Sequence, residues 1–369
     1  MITAKQSERR YFDTLDAVRF FGFTSIFIAH MPVLNHSVHD IVLPFAMHAL
    51  KLFFTLSGFL ITYLILEEKE RTGKLNLKHF FIRRILKIVP LCYLMILFAY
   101  SMPYILDMVG LTSPPGGYEP RWYLSVTFLE NYKMIFENQR PNVSPLAVMW
   151  SLCVEEHFYI IWGVVFYFMK TDKTPYFIGV CILISIISKL IFLEQGWSRI
   201  DVFTNLDTFA IGAIPAYLLV KKKDKFEKTI TGIPYKIRIS IIILIVFAFF
   251  FVPVFEVSLY VNEILFSIIF CALYSILFAF FAPKDNNIKI GKTNIFSRLG
   301  KYAYGLYLYH TTVLNLFLQL FVLMNINLDT FSGYLLYFVL SYSLVITVSI
   351  ISYHVYEVKF LRLKKRFLK

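Results

Sequence analysis

The sequence predicts an all-α integral membrane protein, a single bundle of about ten transmembrane helices with both termini in the cytoplasm, and three observations carry that prediction. Of 369 residues, 58% are hydrophobic and 17% charged, and the mean hydropathy is +0.64; a water-soluble domain cannot hide that much apolar surface. Ten apolar segments of bilayer-crossing character run over about 12–34, 41–66, 85–106, 145–169, 177–193, 202–220, 237–255, 259–282, 302–324 and 333–356. Finally, 30 of the 37 Lys and Arg residues fall in the termini and alternate connections, and only four in the opposite connections, which is the positive-inside asymmetry. The net charge of +13 is therefore read as an orientation signal, with no nucleic-acid partner. No composition break or repeat divides the chain, so residues 1–369 read as one domain.

The first span, LDAVRFFGFTSIFIAH from Leu15 to His30, is polar where it should be apolar. An arginine in a membrane helix costs about 2.5 to 3.5 kcal/mol on insertion scales, so Arg19 needs a reason, with Asp16 as a polar neighbour. Eleven residues at about 100° each put Arg19 and His30 on one face, about 16 Å apart. That face is either a polar path into the membrane or an arginine reaching the headgroups with a histidine at the far interface. The apolar run is too long for a cleaved signal peptide and is expected to be retained.

The connection from Met31 to Pro44 carries His36, His39 and Asp40. Together with His48 these could bind a metal, but their irregular spacing reads as solvated loop residues. In the second span, KLFFTLSGFLIT, Ser57 and Gly58 permit close helix approach, while Lys51 either reaches for headgroups or faces an aqueous cavity. Arg83, Arg84 and Lys87 of HFFIRRILKIVP lie within little more than one turn. They are a topology anchor, or bidentate donors plus a point charge for phosphate.

The long segment from Asp107 to Ser144 reads as a binding loop, in which Arg121, Trp122 and Tyr123 stack on a sugar or sit at the interface. The fourth span, MWSLCVEEHFYIIWG, puts Glu155 and Glu156 near mid-membrane. Ser151, Glu155 and Tyr159 recur every four residues as a polar stripe, from which Glu156 is turned by about 100°. Such carboxyls pair with Arg19 for structure or tune a proton-transferring histidine.

Asn205 and Asp207 open the sixth span, and Asp207, with Asp16, Ser57, Ser151, Tyr159, Tyr307, His310 and Glu357, is a candidate to line a substrate path or structural pore. In the ninth, LGKYAYGLYLYH, the tyrosines up to Tyr307 and Tyr309 suit an interfacial belt, but His310 lies too deep for one. Glu357 beside the basic tail reads most simply as a surface ion pair. All four cysteines, Cys92, Cys153, Cys181 and Cys271, fall in apolar spans without ligand spacing, so neither a disulfide framework nor a metal is expected.

Seven stretches occur in one order: LDAVR with His30 eleven residues after Arg19, FFTLSGFLI, FFIRRILKIVP, WSLCVEEHFY, DTFAIGA from Asp207 to Ala213, LGKYAYGLYLYH and the closing Glu357. Together they resemble the membrane acyltransferase family 3, transmembrane O-acyltransferases of surface polysaccharides and other extracytoplasmic acceptors, over essentially the whole chain. The resemblance implies that Arg19 and His30 are the essential pair of the first helix and that Arg83 and Arg84 belong to the motif associated with acyl-CoA. The chain departs from the family in Ala303, where serine is usual, and His157, where glutamine is common. Many relatives carry a C-terminal esterase-like domain, which this chain is expected to lack.

The residues and the resemblance converge on one expectation for a multi-pass protein of the cell (inner) membrane. Acyl-CoA, acetyl-CoA foremost, docks from the cytoplasm at Arg83, Arg84 and Lys87. The acceptor is a hydroxyl of a surface polysaccharide, lipid-linked glycan or similar molecule among the membrane lipids. His30 acts as general base or carries the acyl group transiently, and Glu155 or Glu156 orients its imidazole. Arg19, with Tyr307 or Ser57, stabilises the developing oxyanion. The rival is a transporter or flippase of a lipid-linked sugar or organic anion with the same residues as its path, against which the lack of repeats and of paired broken helices counts.

Reporter fusions after Lys223 and Lys369 are expected to read cytoplasmic, and fusions within residues 113–117 external. An external C-terminus would sink the ten-span topology.

Overall fold

The protein, here a computed structural model, is described over residues 10–32, 36–108, 117–251, 258–284 and 286–367. Its helices in order are α1 (Asp13–Ala29), α2 (His36–Thr72), α3 (Leu77–Met108), α4 (Trp122–Val126), α5 (Glu130–Glu137), α6 (Ser144–Ala147), α7 (Trp150–Phe168) and α8 (Thr174–Glu194). There follow α9 (Leu206–Lys221), α10 (Lys223–Gly232), α11 (Tyr235–Phe251), α12 (Ser267–Phe281), α13 (Ile295–Gly300), α14 (Ala303–Leu323), α15 (Phe331–Ser352) and α16 (Val358–Phe367). Among the described residues the one β-type pairing is a single bridge between Tyr118 and Pro141.

Among the described residues seven spans are long and apolar enough to cross a membrane by themselves: His48–Thr72, Leu77–Met108, Thr171–Glu194, Phe203–Lys221, Val261–Phe281, Ala303–Leu323 and Phe331–Lys364. The chain is thus a multi-pass membrane protein, but the expected ten is not reached on length and composition. The other three segments are helical with less favourable chemistry. At 17 residues, α1 falls short of the roughly 20 that a bilayer needs and carries Asp13, Asp16 and Arg19. The first half of α7 holds Glu155, Glu156 and His157. α11 follows α10 at a 90° bend, and the two count as an eighth span only if taken together. The expected loop from Met31 to Pro44 is also shorter than supposed, because α2 already begins at His36.

The two most buried spans are those of α2 and α9, with 72% of an 18-residue apolar stretch of each lying inside the protein, against 22% for the spans of α8 and α15. α2 and α9 cross through a pair of glycines. A Cβ on Gly58 would collide with the backbone of Phe209, and one on Gly212 with the backbone of Thr55. Without a hydrophobic force between helices in lipid, such small-residue contacts, which let backbones meet, supply the packing energy. Phe158 stacks on Phe209 at 3.9 Å and Trp162 donates to Thr62 Oγ1 at 2.8 Å, docking α7 onto this crossing.

Pro90 lies inside α3, where it removes one backbone donor and opens the ladder. Tyr304 and Tyr356 donate to the carbonyls of Ile88 and Pro90 at 2.6 and 3.2 Å, so α14 and the turn that follows α15 attach beside the proline. Between α15 and α16 the chain makes one π-helical turn, Tyr353–Glu357, a local widening common at functional sites.

Replacing Gly58 by Leu should cost more than the roughly 1 to 3 kcal/mol of ordinary overpacking, because backbone must move. Gly179→Leu, with open space around the added carbon, should be nearly neutral. Unfolding midpoints in detergent check both; similar midpoints would mean that the glycine crossing does not hold the bundle.

Candidate active site

The polar interior begins at the N-terminal end of α1. Asp16, 3% exposed, forms an ion pair with Arg19 and accepts from the Tyr11 hydroxyl at 2.5 Å. Burial and then the Asp16 hydrogen bond push the Tyr11 hydroxyl up, so it remains a donor. Arg19 is thus compensated by its own helix rather than by Glu155 or Glu156. It also lies near enough to Arg84 and Lys87 for their charges to be felt.

The adjacent arginines of α3 part company, as residues about 100° apart must. Arg83 faces Glu68 at 3.5 Å. Arg84 turns inward over the rings of Tyr159 and Phe80, at 5.5 and 6.0 Å, toward Glu155 and Glu156. Its Nε has no hydrogen-bond partner among the described residues, and neither has Glu156 Oε1. Lys87 is exposed and shares this field with Glu155, and Lys364 of α16 lies near both arginines. Glu155 is held by Ser57 of α2 at 2.8 Å and Tyr159 at 3.3 Å. The stripe read from the sequence therefore exists, with Ser151 bonded to Tyr307 at 2.6 Å.

Three sequence expectations need correction. Ser57 donates its hydroxyl proton to Glu155, and Tyr307 shares its own between Val148 O, at 2.8 Å, and Ser151, so neither hydroxyl is free to serve an oxyanion. Glu357 is no surface ion pair: it is 9% exposed, on the π-helical turn against Gly305. Asp207 is fully buried in an ion pair with Lys189 and accepts from Ser185 at 2.8 Å, which ties α8 to α9 rather than lining a path. The side chains of His36, His39 and Asp40, and residues 109–116, lie outside the described residues.

At the other end of α1, His30 caps the helix and meets His310 of α14, ring centroids 4.9 Å apart and nearly perpendicular. His30 Nδ1 is 2.8 Å from Ile26 O and His310 Nδ1 2.5 Å from Tyr307 O. A carbonyl can only accept, so both rings carry the proton on Nδ1 and leave Nε2 with a lone pair. Among the described residues no carboxylate orients His30; backbone does. His30 opens into a cavity of about 400 Å³ lined also by Arg140, Trp150, Thr311 and Asn315. Thr311 Oγ1 and His310 Nε2 have no partner among the described residues.

The sequence reading passed over Arg140, Thr311 and Asn315. Arg140 belongs to a loop whose closure no periodicity reveals. Gly117, at φ +80°, places the next residue so that Tyr118 N bonds Arg140 O at 3.1 Å, where a Cβ would strike that carbonyl. The Tyr118 hydroxyl, pushed up by burial and then by Glu130, donates to Glu130 at 2.6 Å and pins the same loop. Thr311 and Asn315 did carry a signal, since they continue the Tyr307 face at intervals of four residues. Among the described residues no group of three or more His, Cys, Asp or Glu side chains is arranged to hold a metal ion.

A membrane helix bundle with two facing imidazoles, His310 buried and His30 open to a cavity lined in part by Arg140, Thr311 and Asn315, and a cationic mouth beyond paired carboxylates, has the parts of a membrane group-transfer protein. The family described as an acyltransferase domain matches residues 12–354, and the chain belongs to that family. It is 29% identical over 297 residues to a protein of Listeria monocytogenes named as a peptidoglycan O-acetyltransferase, with 72% of this chain and 44% of that one covered. A Bacillus subtilis protein provisionally named as a peptidoglycan O-acetyltransferase is 25% identical over 323 residues, covering 84% and 50%. A Staphylococcus aureus protein provisionally named as an O-acetyltransferase is 26% identical over 339 residues, covering 84% and 52%. The chain thus spans about half the length of these relatives. No solved structure matches it.

Breaking the buried pair with Lys189→Met should cost about 3 to 5 kcal/mol by stranding Asp207, while Lys189→Met with Asp207→Leu should recover most of the loss. Denaturation in detergent measures both, and equal stability of the single and double variants would refute a structural pair.

Proposed function

We propose that the protein is an O-acetyltransferase of the cell membrane, moving an acetyl group from cytoplasmic acetyl-CoA to a hydroxyl of an extracytoplasmic glycan. The observation that carries this reading is the His30 and His310 pair, two imidazoles with Nδ1 tied to backbone and His30 open to a cavity that Arg140, Thr311 and Asn315 help to line. The names of the Listeria and Bacillus relatives support peptidoglycan as the kind of acceptor.

Arg84, Lys87 and Lys364 would receive the donor's phosphates, with Arg83 joining once released from Glu68. The acceptor hydroxyl faces His30 Nε2, which takes its proton as the oxygen attacks the thioester carbonyl carbon. The new C–O bond forms, the C–S bond breaks, and the proton passes to the departing thiolate. His310 stands behind His30 as a second base. A proton on one ring repels a second proton from the other, so the pair is suited to handing on one charge at a time. Thr311, whose hydroxyl is unpartnered in the same cavity, is the donor available to the developing oxyanion.

In liposomes with acetyl-CoA inside and glycan outside, His30→Ala should lower transfer by at least about 10²-fold, and Thr311→Val by about 10² to 10³-fold, both with donor affinity near normal. Arg84→Ala should instead weaken acetyl-CoA binding, with only partial rescue by Arg84→Lys because a single ammonium lacks the guanidinium fork. Wild-type transfer by His30→Ala would remove His30 from the chemistry, and unchanged donor affinity in Arg84→Ala would move the donor site elsewhere.

A further inference from the structure

A second cavity, of about 150 Å³, lies beside the His30 chamber and shares two walls with it, Arg140 and Trp150. It is lined further by Lys51, Lys189, Arg199 and Glu263. Its charges do not cancel. Lys189 is taken by Asp207, and Arg199 holds Glu263 at 3.1 Å. Lys51 and Arg140 have no ion-pair partner among the described residues. Lys51 is the telling one, because it is 7% exposed and its ammonium makes no hydrogen bond among the described residues, although it lines the cavity. A buried ammonium left without a counter-charge is disfavoured strongly enough that such groups are paired, neutralised or met by a ligand. Glu263, the carboxylate whose charge acts most on Lys51, sits on a π-helical turn, Val261–Phe266, and is already engaged by Arg199. Arg140 also lies over the Trp150 ring at 5.7 Å, so the wall common to both cavities is an aromatic face with a guanidinium on it.

We propose that this second cavity is an anion subsite for the acceptor. A carboxylate or phosphate monoester borne by the glycan is held between Lys51 and Arg140, a sugar ring lies along Trp150, and the hydroxyl to be acetylated faces His30. The inference rests on the acetyl-transfer reading and deepens it, because it makes the acceptor an anionic glycan and gives the enzyme a means of choosing which hydroxyl it acylates.

The test uses the full chain in liposomes and three acceptors: a neutral hexosamine oligomer, the same oligomer bearing a carboxylate ether, and the same bearing a phosphate monoester. Wild type should prefer at least one charged glycan to the neutral one by about tenfold or more in kcat/KM, the worth of one charge-assisted hydrogen bond, and the two charged arms identify the group. Lys51→Met should lower that preference at least about tenfold through KM, and Lys51→Arg should retain part of it. Arg140→Gln, at an exposed position where folding is little at stake, should lower it as well. Equal use of all three glycans by wild type, or a preference unchanged in Lys51→Met and Arg140→Gln, overturns the subsite and leaves Lys51 a neutral packing residue. Equilibrium binding of the radiolabelled glycans separates the two readings. If wild type acetylates no glycan, the acetyl-transfer reading falls. In that event, tighter binding of a charged glycan that is lost in Lys51→Met still supports the anion subsite, and its absence overturns that too.

Discussion

The contact on which the rest depends is the crossing of α2 and α9, where Gly58 and Gly212 let two backbones touch. It lies in the most buried part of the bundle, and α2 carries polar side chains to either side of it. Ser57, next to Gly58, holds Glu155; Lys51, nearly two turns earlier, lines the cavity beside the histidines. A helix held at backbone distance cannot rotate to hide these groups in lipid or to lose their partners. The close contact therefore fixes packing and the placing of charge together, which is the demand that a low-dielectric solvent makes of any buried polar group.

Charge is then distributed according to whether it is compensated. Asp16 with Arg19 and Asp207 with Lys189 are closed pairs that join a helix to itself or to its neighbour, and they use up charges that looked functional in the sequence. What is left open among the described residues is more informative, and includes Arg84 Nε, Glu156 Oε1, His310 Nε2, Thr311 Oγ1 and the Lys51 ammonium. Buried polar atoms usually find partners. The ones named lie toward a cationic entrance near α3 and toward the two adjoining cavities beside His30, where a bound donor and a bound acceptor would meet them.

How much was legible follows from where the information sits. The Ser151, Glu155 and Tyr159 stripe and the depth of His310 depend on one helix and its 3.6-residue period, and the sequence shows them. The Arg83 and Arg84 pair looked like a single clamp because proximity along a chain hides the turn of about 100° between neighbours. The union of Lys189 with Asp207, and of His30 with His310, depends on how helices meet, which no periodicity encodes. The difference between ten expected spans and the seven that pass on length and composition has a related reason. α1 and α7 are the helices that carry the polar interior, so they are the least apolar, and function in a membrane helix erases part of the signal by which it is recognised.

Tyr307 shows how positioning can pass for chemistry. Its hydroxyl is bound to Val148 and Ser151, docking α14 against the start of α7. Its carbonyl accepts from His310 Nδ1 and thereby sets the tautomer of the ring that faces His30. One residue thus joins the helix that carries Glu155 to the helix that carries His310, and orients the second imidazole while doing so. The polar interior is in this sense continuous from the carboxylates to the histidine pair without a metal-like cluster of ligands among the described residues. Its continuity is built from backbone carbonyls and hydroxyls, which hold imidazoles in place without adding a charge that the membrane would have to bury.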